Sequence, residues 1–111
     1  MATTTVGYTA YEIPLTSQNQ SFSISLAGVT YNLTVTWNNI SQTWVLDIAD
    51  ENDNDILTGI QMTTGEDLLS PYAYLQFGGQ LYVQTDNNTL MAPTFTNLGS
   101  TSHLYFIVVN D

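Results

Sequence analysis

Alternation of apolar and polar residues between Asn19 and Trp37 is the feature that most constrains the fold of this chain. Apolar residues alternate with serines from Ser21 to Leu26, and with threonine and asparagine from Val29 to Trp37. A period of two sends successive side chains to opposite faces of a strand, so both segments are predicted to be half-buried strands. Ala27-Gly28 separates them and predicts a hairpin turn, because glycine adopts positive φ without strain.

The same pattern continues through a second turn, Asn38 to Ser41, into a strand that begins near Trp44. A further strand is predicted at about Ile56 to Met62, after an acidic loop. Together these segments predict a four-stranded antiparallel meander from Asn19 to Met62. Trp37 and Trp44 flank the second turn at similar distances, so we expect them to form a cross-strand or diagonal aromatic pair, with both residues in the core.

The second half of the chain is less regular. Four segments are predicted there: a turn or single helical turn at Thr64–Pro71, a hairpin of Tyr72–Phe77 with Leu81–Thr85 around Gly78-Gly79, a loop at Asp86–Gly99, and a strand at His103–Val109. The last of these is an almost unbroken apolar run. Such a run is typical of a strand covered on both faces, by its own domain or by a partner.

The predicted fold class is therefore all-β: a small antiparallel barrel or sandwich of seven to eight short strands, with a meander as its N-terminal half. A barrel has no edge strands, and a chain without lysine lacks the usual cationic protection of such edges. Residues 1–9 are expected to form a flexible or partner-ordered arm, and residues 10–111 a single all-β domain. Neither a signal peptide nor a membrane span is predicted.

Charge excludes several functional classes. The chain has no lysine or arginine, ten acidic residues and one histidine, which gives a formal net charge of −10. Nucleic acid would find no side-chain cation here and would be repelled, so it is not an expected ligand. The composition is 43% hydrophobic and only 9% charged, unlike that of a disordered acidic tail. Any balancing cations must come from a partner protein, a metal or the solvent.

No catalytic, cofactor or metal site is predicted. Cysteine, lysine and arginine are absent, and the single histidine, His103, begins an apolar strand, which favours a structural role for it. Serine is plentiful, but the chain has no Gly-x-Ser-x-Gly motif. The acidic loop holds hard oxygen ligands, but a calcium loop counted from Asp50 needs glycine at position six and glutamate at position twelve. Asp55 and Gln61 stand at those positions. A solvated hairpin loop is the favoured interpretation, and an interface cation is the alternative.

An ordered series of short motifs resembles one protein family. The residues that carry the resemblance are Ile13-Pro14-Leu15, Asn19–Phe22, Leu26–Tyr31, Trp37-Asn38, Trp44–Asp47, Leu57–Gly59, Thr64–Tyr72, Gly78–Leu81, Pro93, Leu98-Gly99 and Leu104-Tyr105. In order and spacing they resemble the baseplate plug family of contractile-tailed phages, known from a cyanophage baseplate. The resemblance covers about Tyr11 to Asn110.

This resemblance implies a structural virion protein: a central baseplate or hub plug at the distal end of a contractile tail tube, made in the bacterial host cytoplasm. The implied partners are hub, tube or wedge proteins, with several symmetric copies of the chain and no membrane. The candidate interface residues are Leu104, Tyr105, Ile107 and Val109 in the last strand, and Asp50, Glu51, Asp53 and Asp55 in the acidic loop. Two alternatives remain open: an acidic DNA-mimic inhibitor of a host enzyme, and a small carbohydrate-binding β domain.

Overall fold

The chain folds into two antiparallel sheets. The computed structural model describes residues 2–5, 8–75, 77–86 and 92–109. Within these residues the strands are β1 (Ala2–Thr5), β2 (Tyr8–Ile13), β3 (Gln20–Leu26), β4 (Val29–Asn38), β5 (Thr43–Asp50), β6 (Asp55–Gln61), β7 (Gln80–Thr85) and β8 (Ser102–Val109), with a 3-10 helix at Ser70–Leu75. One sheet, sheet A, has the order β1-β2-β8-β7, and the other, sheet B, has the order β3-β4-β5-β6.

The all-β prediction is confirmed, and of its two alternatives the structure is a sandwich. Sheet B is the predicted meander from Asn19 to Met62, with each strand paired to the next along the chain. Sheet A instead joins the two ends of the described chain, because β2 pairs with β8 over Tyr8–Ile13 and Leu104–Val109. Sequential hairpins explain sheet B, whereas sheet A requires a long-range pairing that no local turn specifies.

The core lies between the inner faces of the two sheets. Sheet B contributes Leu33, Val35, Trp44 and Leu46 among others, and sheet A contributes Ile13, Leu81, Val83, Leu104 and Phe106, all fully buried. Trp37 and Trp44 are direct cross-strand partners, and their ring centroids lie 5.3 Å apart in an edge-to-face arrangement. The predicted pair is thus confirmed. Trp44 is buried, and Trp37 is half-buried beside it.

The turn between β3 and β4 is the predicted two-residue hairpin. Leu26 pairs with Val29, which leaves Ala27 and Gly28 as the turn residues. Their φ angles are +51° and +83°. Positive φ at both central positions is what a type I′ turn requires, and this turn matches the twist of the flanking strands.

The hairpin predicted from Tyr72–Phe77 is wrong. Ser70–Leu75 is 3-10 helical with a kink at Tyr72 (φ −117°, ψ 22°), and β7 pairs with β8 instead. The Gly78-Gly79 turn signal favours a strand on each side of it, but Pro71 fixes φ near the helical value, and Asp67 organises the segment before it. One Asp67 carboxylate oxygen accepts hydrogen bonds from the backbone N–H groups of Leu69 (2.9 Å) and Leu81 (3.0 Å). These bonds fix the turn and the helix start against the side of β7.

Part of the predicted N-terminal arm lies in strands. Ala2–Thr5 pairs with Tyr8–Tyr11, which makes β1 the outermost strand of sheet A. The division into an arm, residues 1–9, and a domain, residues 10–111, stays a prediction. In the described ranges, no helix has the length and apolar character needed to cross a membrane.

Candidate interaction surface

The outward-facing side chains of β2, β8 and β7 form a surface that we call the tyrosine face. Along β8 the buried residues Leu104 and Phe106 alternate with half-buried residues that face away from the core. Residues paired across antiparallel strands lie on the same face, so the register extends this surface to the two neighbouring strands. The tyrosine face consists of Ala10, Glu12, Gln80, Tyr82, Gln84, His103, Tyr105 and Ile107.

Tyr105 occupies the centre of this face. It pairs with Glu12 on β2 and with Tyr82 on β7. Ile107, two residues further along β8, is the next residue on this face, and the side chains of Glu12, Tyr82, Tyr105 and Ile107 are all half-buried. Tyrosine is enriched at protein interfaces because its ring buries apolar area while its hydroxyl group keeps a hydrogen-bond partner. The face therefore has the chemistry of a contact surface.

His103 connects three strands at one end of the tyrosine face. Its Nδ1 atom lies 2.8 Å from Oε2 of Glu12 on β2, and its Nε2 atom lies 3.2 Å from Oδ2 of Asp86, just after β7. Neutral imidazole donates through one nitrogen only, whereas the imidazolium donates through both. The protonated form alone therefore satisfies both carboxylates, and we call this group the histidine clamp.

The clamp raises the pKa of His103. Burial alone would lower this pKa, but the hydrogen bonds and charges of Asp86 and Glu12 outweigh that effect. The same surroundings raise the pKa of Tyr105, first through burial and then through repulsion by Glu12 and Asp86. Tyr105 therefore keeps its phenolic proton and can donate a hydrogen bond to a partner.

The acidic loop between β5 and β6 is a hydrogen-bonded turn. Oδ1 of Asp50 accepts hydrogen bonds from the backbone N–H groups of Asn52 (2.9 Å) and Asn54 (3.0 Å), and its Oδ2 accepts one from the Asn54 amide (3.1 Å). The bonds from Asn54 do most to lower the pKa of Asp50. Asp53 accepts a 2.7 Å bond from the Asn32 side chain on β4. Nowhere in the described residues do three or more histidine, aspartate or glutamate side chains form a group able to hold a metal.

The structure divides the candidate interface residues among three environments. Tyr105 and Ile107 lie on the tyrosine face. Leu104 is fully buried between the sheets, because the period of two along β8 sends it to the inner face, so its side chain belongs to the core and not to a surface. The backbone of Val109 pairs with Tyr8, and its side chain lies outside the described part of the structure. The acidic-loop residues belong to sheet B, so the two halves of the set are not brought to one site.

Sequence reasoning missed the partners of His103. Glu12 lies 91 residues before it and Asp86 lies 17 residues before it. No strand was predicted at Glu12, so nothing indicated that the first and last long strands would be neighbours. The one usable signal is the apolar run of β8, which calls for a paired strand on each side.

The fold defines a small antiparallel β-sandwich protein whose sheet A presents two tyrosines, Tyr82 and Tyr105, on its outer face. Residues 10–109 match the family model described as the cyanophage baseplate Pam3 plug gp18, and the chain belongs to this family. No curated protein matches the chain. The family gives the protein a structural role in the phage tail baseplate, in association with other baseplate proteins, and indicates a non-enzymatic function.

Proposed function

We propose that this chain is the plug at the centre of the baseplate hub, at the distal end of a contractile tail tube, and that it acts without catalysis. The observation that carries the proposal is the family match over residues 10–109. In this role the protein closes the tube or braces the hub until the sheath contracts. It is made in the bacterial host cytoplasm and enters the virion during tail assembly.

The charge of the chain supports this role. DNA descending the tube would meet a protein with a net charge of −10 and no lysine or arginine, so it would pass without binding. The same charge favours docking against basic surfaces of hub, tube or wedge proteins. Charge complementarity of this kind selects one orientation and speeds assembly.

The tyrosine face supports a specific contact. Tyr105 and Ile107 offer ring and aliphatic surface that the described chain leaves partly accessible, while the histidine clamp sets charge beside them. A few such side chains carry most of the binding energy in typical interfaces. Several copies arranged around the tail axis would each present this face to a partner in the same way.

The test is localisation in the virion. A phage that encodes this chain would be deleted for the gene and complemented with a tagged copy, and purified virions would be analysed by mass spectrometry and electron cryomicroscopy. We expect the tagged chain in the virion, with density on the tail axis at the distal end of the tube. Density elsewhere in the baseplate would overturn the central position. Absence from the virion together with binding to a host DNA-processing enzyme would favour the DNA-mimic alternative.

A further inference from the structure

We infer that the outer edge of β3 is a strand-addition site, which takes an extended, basic segment of a partner protein. β3 is the first strand of sheet B, and among the described strands it pairs with β4 alone. Seven residues, Gln20–Leu26, therefore form one continuous edge. An unpaired edge is a row of backbone donors and acceptors that another extended chain can complete.

The hairpin geometry identifies which backbone groups face outward. Residues that flank a two-residue turn form a hydrogen-bonded pair, and such pairs alternate with non-hydrogen-bonded pairs along an antiparallel ladder. Leu26 and Val29 flank the turn, so the pairs at Ser25, Ser23 and Ser21 are non-hydrogen-bonded. The N–H and C=O groups of these three serines therefore point away from β4. Within the described chain, the backbone hydrogen bonds made outside the sheets include none from them.

Among the residues that the structure describes, none covers the β3 edge in the way that other edges of the sandwich are protected. Leu68 and Asp67 cover the side of β7, where the Leu68 N–H group donates to the Leu81 carbonyl at 2.8 Å. β6 pairs with shifts in register, which disturb a regular edge, and β1 is only four residues long. In contrast, β3 runs in unbroken register and contains no proline and no charged residue.

A cleft beside this edge can accept the side chains of an added strand. It has a volume of about 610 Å³, lies between the two sheets, and its apolar lining includes Tyr11, Ile24, Leu26, Phe106 and Val108. Tyr11 is 46% exposed although its neighbours in register lie on the inner face of sheet A. The sheets therefore leave inner-facing apolar surface uncovered next to β3. An added strand would send every second side chain into this space.

Charge decides which segment fits. Negative charge lies close to this edge: on the outer face of sheet B the Asp53 carboxylate accepts a hydrogen bond from the Asn32 side chain, whose oxygen in turn accepts one from Ser23. A second copy of this chain would bring another net charge of −10 and no lysine or arginine. The fitting occupant is a segment with apolar residues at alternate positions and lysine or arginine between or beside them. The inference rests on the proposed function only in taking this segment from a baseplate protein.

The first experiment compares Ser23→Pro with Ser23→Ala in the complemented phage. Proline removes the outward N–H group and its ring blocks an added strand, yet proline is tolerated at an edge position that does not donate within the sheet. Alanine keeps the N–H group and loses the same hydroxyl bond to Asn32, so it is the matched control. We expect incorporation of Ser23→Pro into virions to fall at least about tenfold below that of Ser23→Ala.

Hydrogen–deuterium exchange of the unaltered chain provides a test that needs no variant. The Ser21, Ser23 and Ser25 amides should exchange freely in the isolated protein and become protected in purified baseplates. Unchanged exchange on assembly would overturn the inference, whether or not Ser23→Pro folds. The inference would also be overturned if Ser23→Pro and Ser23→Ala had the same melting temperature and entered virions equally well.

The outcomes separate this inference from the proposed function. Absence of the unaltered chain from virions would contradict the plug role itself. Normal incorporation with an unprotected β3 edge would leave the plug role standing and remove the strand-addition site. Protection of the same amides in a dimer of the isolated chain, seen by sedimentation, would replace the basic partner with a second copy and so overturn the proposed occupant.

Discussion

The two outer faces of the sandwich use the same alternation of residues but present opposite chemistry. On sheet B the outward side chains of β3 and β4 are Ser21, Ser23, Ser25, Thr30, Asn32, Thr34 and Thr36, here called the hydroxyl face. Several bond to one another, as Ser21 and Thr34 do at 3.1 Å. The tyrosine face of sheet A instead carries phenol rings, Ile107 and the histidine clamp. Alternation therefore fixes which side chains face outward, while the chemistry of those side chains decides whether the face remains in solvent or forms a contact.

Four of the seven side chains on the hydroxyl face make hydrogen bonds within their own chain. The Ser23 hydroxyl donates to Asn32, and the Asn32 amide donates to Asp53 in the acidic loop. Exposed hydrogen bonds of this kind contribute little net stability, because water replaces them readily. The main effect of these bonds is to hold the acidic loop in place over β4. The tyrosine face has fewer such partners and more uncovered ring surface, so it is the face with more to gain from a partner.

The largest expected effect separates the inner and outer faces of sheet B. Trp44 is 1% exposed, and its Nε1 atom donates to the Thr94 carbonyl at 2.9 Å. Trp44→Ala should cost about 3–5 kcal/mol in the free energy of unfolding, the usual range for a buried aromatic residue. Trp37→Ala should cost less, because Trp37 is half-buried. Thr36→Ala, on the hydroxyl face, should change stability by no more than about 0.5 kcal/mol. Urea unfolding followed by circular dichroism measures all three.

If Trp44→Ala and Thr36→Ala lowered the free energy of unfolding equally, the inner and outer faces of sheet B would not differ in burial as described. A loss for Trp37→Ala as large as that for Trp44→Ala would mean that Trp37 is covered more completely than its half-buried position indicates. The ring of Phe95, 5.4 Å from the ring of Trp37, would then be the residue to test next.

The second effect compares the two outer faces directly. Tyr105→Ala and Ile107→Ser should each weaken incorporation into the baseplate by about thirtyfold, the effect of losing a central interface residue. Thr34→Ala on the hydroxyl face is the matched control and should incorporate normally. Competition between tagged and untagged chains in virions measures the ratio. If Thr34→Ala weakens assembly as much as Tyr105→Ala, the hydroxyl face is a contact surface too and the comparison fails.

Sheet B could be predicted from the sequence because its information is local. Alternation from Ser21 to Trp37, the Ala27-Gly28 turn and the tryptophan pair specify register strand by strand. Sheet A could not be predicted, because β2 and β8 lie at opposite ends of the chain and no turn connects them. The 3-10 helix was missed for a different reason. The Gly78-Gly79 turn signal favours a strand on each side of it, and the stabilising Asp67 bonds become visible only in the folded chain.

The candidate interface residues also divide into those that the local sequence pattern predicts and those that only the tertiary structure places. Tyr105 and Ile107 could be predicted from the apolar run of the last strand, although only the register separates them from the buried Leu104. The acidic loop was identified from composition alone. Neither Glu12 nor Tyr82 could be placed beside Tyr105, because that step needs the long-range order of sheet A.

The next prediction concerns the histidine clamp, which has no counterpart on the hydroxyl face and is expected to change stability by a smaller amount. The pKa of His103 is raised in the folded state above its ordinary value of 6.5, through Asp86 after β7 and Glu12 on β2, with Tyr105 as the titratable neighbour on its own strand. A raised pKa means that protonation favours folding. The clamp therefore stabilises the fold fully below about pH 6.5 and loses this contribution as pH rises through the folded pKa.

Melting temperatures of the unaltered protein and of His103→Gln across this range measure the clamp. The difference between them should be largest at low pH and shrink as pH rises. Glu12→Gln and Asp86→Asn should each remove part of the pH dependence of the melting temperature. Asp67→Asn, which lies outside the clamp, is the control and should leave that pH dependence unchanged. A difference that grows with pH would mean that neutral His103 is the stabilising form and would contradict the clamp.

The smallest effect concerns the acidic loop, which extends from the hydroxyl-face side of the molecule. Asp50 holds the turn together and Asp53 accepts the bond from Asn32, whereas Glu51 and Asp55 are exposed. Glu51→Gln with Asp55→Asn therefore removes charge and leaves the turn. Charges at a rim act over a Debye length of about 8 Å at physiological salt, so they steer association more than they hold the complex. We expect the rate of association with baseplates to fall by less than about tenfold, with no change in the dissociation rate.

Added salt should remove the difference in association rate between this variant and the unaltered protein. A faster dissociation rate, or loss of incorporation, would place the loop inside an interface and end the contrast between a solvated face and a contact face.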